Sequence, residues 1–253
     1  LSAIRPKLAS KAHAADKPPL IAGASSMRFA MEELSTAFMA ERGDKIRVAY
    51  GSSGNFTRQI MQGAPFELFL SADDAYPLRL SKAGLTVDDG MPYALGRLAL
   101  FVPNGSPLAA DPTLADLAAA LGTGKVKRFA IASPEHAPYG RAAREILQSR
   151  GLWEKIGPAL VYGENVAQAA QFAASGSSQG GIVAYSLVLT PEISSLGTAV
   201  ILPQEGHTPL VQRMVLVKGA GETTRAFYRF MASKTAHAIL AKHGFAPPPD
   251  RGA

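Results

Sequence analysis

The 253-residue chain contains no cysteine, which excludes disulfides, thiolate metal sites and cysteine nucleophiles together. That absence fits a bacterial extracytoplasmic protein with no need of oxidative folding. Long apolar runs are missing too: nothing approaches the roughly 18 consecutive apolar residues of a membrane-spanning helix. A basic stripe is also lacking. The net charge is +6, but Arg5, Lys7, Lys11 and Lys17 against Asp16 supply half of it within the first seventeen residues. The remainder is scattered without aromatic interleaving, which argues against nucleic-acid binding and leaves a mild attraction for small anions.

Catalytic constellations are equally scarce. GSSG at 51–54 is not a G-x-S-x-G elbow, because its second glycine comes one place early. GTGK at 122–125 lacks the spacing of a phosphate loop. The five histidines are scattered, and His136 reads as a solvated or supporting residue. Asp73 and Asp74 read as solvated or as helix caps, and the candidate loops carry too few carboxylates for a free cation.

What is present is an ordinary globular balance, 47% apolar and 18% charged, arranged as alternating short apolar runs and amphipathic helices. Residues 1–17 have no periodicity and end before Pro18-Pro19; AHA at 12–14 resembles a secretory cleavage site, so this segment reads as a tail or leader remnant. PLIAGA, KIRVAY and FELFLSA read as strands, each followed by a helix, and the first helix places Phe29, Leu34, Phe38 and Met39 on one face. Repeated βα units imply parallel-rich sheets with helices on both faces. Two longer strands, GRLALFVPN and PLVQRMVLVKG, bracket a second βα series. The expected architecture is α/β with two lobes, the first built from 18–94 and 208–253, the second from 95–207. Two crossing segments form the hinge.

Three strand ends run into helix starts rich in small polar residues: GASSM with Ser25 and Ser26, GSSGN with Ser52 and Ser53, and SPEHAPYG with Tyr139. Ligands of parallel α/β sheets bind beyond the carboxyl ends of the strands, where free helix N–H groups favour anions. Each serine alone also fits a simple N-cap; Ser52 reads as the cap and Ser53 as a wall of the site. Neutral donors with few opposing charges suit a fully deprotonated oxyanion, whereas a protonated phosphate wants a carboxylate acceptor.

GASSM, VAYGSSGNFTRQIMQGAPFELFLSADD, SPEHAPYGRAAREIL, ENVAQAAQFAASG and GIVAYS, in order across residues 19–246, resemble the periplasmic molybdate-binding proteins of ABC importers. The resemblance implies the type II periplasmic-binding-protein fold, with two hinged lobes closing over molybdate or tungstate. It implies a monomeric, non-enzymatic, periplasmic protein without a cofactor, delivering its ligand to a membrane permease. By position, Ser25, Ser26, Ser53, Tyr139 and Val166 would hold the oxyanion, Val166 through its backbone N–H. Tyr185 falls one residue late relative to a family tyrosine and is left outside this set. Two other readings stay open. One is a binder of another small anion or organic acid, using Arg28, Arg58 or Arg141. The other is an enzyme on the same scaffold, using Ser53 or His136.

Overall fold

The computed structural model describes residues 17–249; residues 1–16, nearly all of the segment read as a tail or leader remnant, lie outside it. In chain order the first elements are β1 (Leu20–Ala24), a 3-10 turn (Ser25–Met27), α1 (Arg28–Arg42), β2 (Arg47–Gly51), α2 (Ser53–Met61), β3 (Leu68–Leu70), α3 (Ala75–Lys82) and β4 (Met91–Gly96). Next come β5 (Leu98–Pro103), α4 (Ala115–Gly122), β6 (Phe129–Ala132), α5 (Pro138–Ser149), α6 (Trp153–Ile156), β7 (Leu160–Gly163) and α7 (Val166–Ala174). The chain continues through β8 (Gly180–Ala184), α8 (Tyr185–Val188), α9 (Pro191–Ser194), β9 (Gly197–Ile201), β10 (Leu210–Leu216), α10 (Glu222–Phe230) and α11 (Lys234–Lys242).

These strands make two five-stranded sheets, ordered β2-β1-β3-β10-β4 and β7-β6-β8-β5-β9. In each, three neighbouring strands pair in parallel, and two antiparallel pairings about one reversed strand complete the sheet. The antiparallel strand beside the parallel set comes from the distant crossing: β10 returns to the first sheet, and β5 opens the second. The chain passes outward at the single residue Arg97, between Gly96 and Leu98, and comes back between Ile201 and Leu210.

Strand alternation sorts the first lobe into two cores. Ile21, Leu68 and Leu70 face α1, α10 and α11 and pack with Leu34, Phe38, Phe227 and Leu240. Ala22 and Phe69 face α2 and α3, against Phe56, Ile60 and Leu80. The second lobe has one core, built around Phe101, Phe129, Ile131, Ile146 and Ile182.

The buried stripe of α1 differs in part from the face read in the sequence. Met31, Leu34 and Phe38 turn inward, but Met39 is 42% exposed. One residue beyond Phe38 is a rotation of about 100°, which carries Met39 off the stripe. Phe29 leaves it the other way and packs against the core cluster of the second lobe. Gly43 then ends the helix in the left-handed conformation, its N–H donating to the Met39 carbonyl.

Candidate functional site

Four helix starts, two from each lobe, converge on one small cavity. Its walls are Ala24, Ser25, Ser26, Gly51, Ser52, Ser53, Ala72, Ala137, Pro138, Tyr139 and Val166. Ser25, Ser26, Ser53, Tyr139 and Val166 are therefore all brought together, and no lining side chain carries a formal charge.

Each hydroxyl is held by a local reason. Ser53 begins α2, while Ser52, in extended conformation, caps it by accepting from Asn55 N–H at 3.4 Å. Ser53 Oγ accepts the Ala72 N–H at 3.0 Å. Ser25 Oγ accepts the Ala167 N–H of the other lobe at 3.3 Å. Tyr139 Oη accepts from Gln212 Nε2 at 3.0 Å. In all three the oxygen already receives an N–H, so the hydroxyl proton remains to be donated elsewhere. Ser26 Oγ is buried with no hydrogen-bond partner among the described residues. It lies near Tyr139 but outside hydrogen-bond geometry. A buried hydroxyl without a partner is costly unless something in the cavity supplies one.

Backbone donors join them. Asn165 caps α7 by accepting from both Ala167 and Gln168, which leaves the Val166 N–H, first in the helix, without an intrahelical acceptor. Ser53 at the first position of α2 and Tyr139 at the second of α5 stand alike. Pro138 precedes Tyr139 in α5, where its missing N–H costs nothing. Burial pushes the Tyr139 phenol well above its ordinary range, against smaller opposing effects of Ser26, Gln212 and Arg97. It stays protonated, hence a donor, at any physiological pH.

The lobes also meet around the cavity rim. Gly54 N–H donates to the His136 carbonyl at 2.9 Å, Asn55 Nδ2 to Glu164 at 3.3 Å and Ser186 Oγ to the Ser26 carbonyl at 2.8 Å. His136 thus supports the rim: its ring contacts the Glu164 carbonyl at 2.9 Å. Asp73 departs from the solvated reading. It is buried, accepts from Tyr76 N–H at the start of α3, and pairs with Arg141 across the cleft at 2.9 Å. Burial raises its pKa, and Arg141 opposes that. A carboxyl held above its unfolded pKa contributes more stability as pH falls through the folded value, and least above it.

The arginines considered for an organic acid are elsewhere. Arg28 and Arg58 are exposed, Arg58 bonding Asn55, and Arg141 is engaged by Asp73. Tyr185 is at the crossing, its ring under the Arg97 guanidinium at 5.3 Å, and does not line the cavity. Among the described residues no group of three or more acidic or histidine side chains could hold a metal ion. Ala72, Gly54 and Gln212 escaped the sequence reading. Gln212 left a trace there, as a polar residue inside the apolar run LVQRMVL.

A family model for bacterial extracellular solute-binding proteins matches residues 19–246. The chain belongs to that family. The molybdate-binding protein ModA of Rhodobacter capsulatus is 36% identical over 216 residues, 85% of this chain and 82% of that protein. ModA of Azotobacter vinelandii is 34% identical over 227 residues, 89% of this chain and 88% of its own length. The solved periplasmic molybdate-binding protein of Azotobacter vinelandii superposes with a TM-score of 0.81 at 28% identity, covering 91% of this chain and all of that one. The sulfate-binding protein SubI of Mycobacterium tuberculosis, at 19% identity and a TM-score of 0.73 over 91% of this chain and 86% of its own, shares the fold.

Proposed function

We propose that this family member captures molybdate, and equally tungstate, between its lobes and delivers it to an ABC permease from the periplasm. The observation that carries the reading is the donor set. Ser25, Ser26, Ser53 and Tyr139 supply hydroxyl protons, Val166 supplies its N–H, and no charged side chain lines the cavity. A fully deprotonated tetrahedral oxyanion only accepts hydrogen bonds, so it satisfies every one of these donors. Hydrogen bonds to a charged group contribute about 1.5–3 kcal/mol each, and four helix N-termini add their partial positive charge. The similarity to molybdate-binding proteins supports the same ligand.

Hydrogen phosphate is disfavoured because its proton finds no free carboxylate: the nearby Asp73 is taken by Arg141, Ser71 and Tyr76. An organic acid lacks its arginine. Among the described residues Ser53 Oγ meets the Ala72 N–H and no carboxylate or imidazole, so an enzyme using it has no base at hand. Capture needs no cofactor and makes no bond. The chain acts as a monomer whose lobes rock about Arg97 and the 202–209 return, and closure follows from tighter binding to the closed form.

Isothermal calorimetry against molybdate, tungstate, sulfate, phosphate and small carboxylates is the test. Molybdate and tungstate are expected to bind alike and far more tightly than the rest, because donors set for longer metal–oxygen bonds cannot all reach sulfate. Affinity should be flat from about pH 6 to about pH 9, as no lining group titrates there. Sulfate binding as tight as molybdate sinks the size argument; a response to carboxylates alone sinks the ligand class.

A further inference from the structure

Gln212 lies on β10 in the first lobe, is fully buried, and reaches across to the second lobe. Its position follows from an irregularity in the sheet. The β10–β4 ladder pairs Gln212 with Ala94 and Arg213 with Pro92, so Tyr93 drops out of register. Bulges of this kind commonly re-aim side chains beside a site. Here the bulge sets the Tyr93 hydroxyl 2.9 Å from Gln212 Oε1 and 3.0 Å from the Ser71 carbonyl. Gln212 Nε2 then faces Tyr139 Oη at 3.0 Å. Gly96 makes room: a Cβ there would stand 2.7 Å from Gln212 Nε2 and closer still to the Tyr139 hydroxyl.

We propose that Gln212 is a positioning residue that fixes the direction of the Tyr139 proton, and thereby selects an anion that only accepts hydrogen bonds. The inference rests on the oxyanion reading above. With Nε2 donating into Tyr139 Oη, that oxygen is occupied and its own proton turns to the cavity. With the amide turned over, Tyr139 would donate to Oε1, Nε2 would donate to Tyr93, and the Tyr93 proton would go to Ser71. Both arrangements satisfy the buried atoms, but only the first offers the cavity a donor. An acceptor-only anion therefore holds the amide in the first arrangement. At Tyr139, a ligand carrying its own proton is matched only by the second, in which the phenol proton points away from the cavity. Because Tyr139 and Gln212 belong to different lobes, this donor is completed only when the lobes meet.

The test is a double-mutant cycle read by calorimetry with molybdate, on proteins whose fold is checked by circular dichroism. Gln212→Met keeps the volume and removes the donor; it should weaken molybdate binding about tenfold. Gln212→Glu offers only acceptors when ionised, draws the Tyr139 proton away, and should weaken it about a hundredfold. In a Tyr139→Phe background both substitutions should change affinity less than about twofold, since their effect passes through that hydroxyl. Gln212→Met binding as tightly as the unsubstituted protein, or losing as much in the Tyr139→Phe background as alone, overturns the proposal while leaving the oxyanion reading in place. Failure of the unsubstituted protein to bind molybdate overturns that reading and this one with it.

Discussion

The two lobes are built on the same strand order, yet they furnish the site differently. The second edge strand of each ends alike, Tyr50-Gly51 in β2 and Tyr162-Gly163 in β7, and each then turns into a capped helix. In the first lobe the turn offers hydroxyls; in the second, at Val166, it offers a bare amide. The hydroxyls differ again in who holds them. Ser53 is oriented by Ala72 of its own lobe, so it is ready before the lobes meet. Ser25 is oriented by Ala167 of the second lobe, and Tyr139 by Gln212 of the first. Of these three hydroxyls, one is held within its own lobe and two are held from across the cleft. Under the proposed capture, that division would give a ligand its differential affinity for the closed form, without which binding moves nothing.

The largest effect is expected where the start of α2 meets the second lobe. A Cβ on Gly54 would lie 2.8 Å from the His136 carbonyl and 2.9 Å from its Cβ. Overpacking of this order costs about 3 kcal/mol, and here much of it falls on the closed form alone. Gly54→Ala should lower molybdate affinity about a hundredfold, and X-ray scattering should show less compaction on adding ligand. Undiminished affinity would mean that closure does not bring this helix against the second lobe, and donors held within one lobe would then suffice.

Next comes the bare amide. Val166→Pro removes the N–H and keeps a small apolar side chain, at a first helical position where proline is welcome. Asn165 before it is extended, φ −145° and ψ 172°, as a residue preceding proline must be. Loss of one charge-assisted hydrogen bond, about 2 kcal/mol, should weaken binding roughly thirtyfold, while Val166→Ala changes little. Equal effects from the two substitutions would transfer the role from the backbone to the side chain and erase the contrast with Ser53.

The parts of this site that were legible in the sequence are those whose placement is local. Ser25, Ser53 and Tyr139 lie in loops that follow strand ends, so βα connectivity alone sends them to the same edge of a sheet, whereas Val166 comes from the family resemblance. Asp73, Gln212, Gly54 and Gly96 acquire their roles from the fit of one lobe to the other. A run such as FLSADD does not say that its first aspartate will meet Arg141, 68 residues on. Phe29 and Met39 fail for a related reason. Periodicity gives the stripe of α1, but the other lobe claims Phe29, and the angular limit of the stripe excludes Met39.

The smallest expected effect separates capping from binding. Ser52 and Asn165 occupy equivalent places, each the residue before its helix, but Ser52 caps one N–H and Asn165 two. Replacing a capping side chain by alanine costs about 1 kcal/mol, which lowers Tm by about 2–4 °C in a domain of this size. Ser52→Ala should do that and leave molybdate affinity within about twofold, because the cavity takes its donor from Ser53. Asn165→Ala should destabilise slightly more. It should also weaken binding a few-fold, because the Ala167 N–H that orients Ser25 is the one Asn165 holds in place. Thermal melts with and without ligand resolve the pair. If both variants lose stability and neither loses affinity, then Ser25 is positioned by the turn of its own lobe, and closure completes only Tyr139.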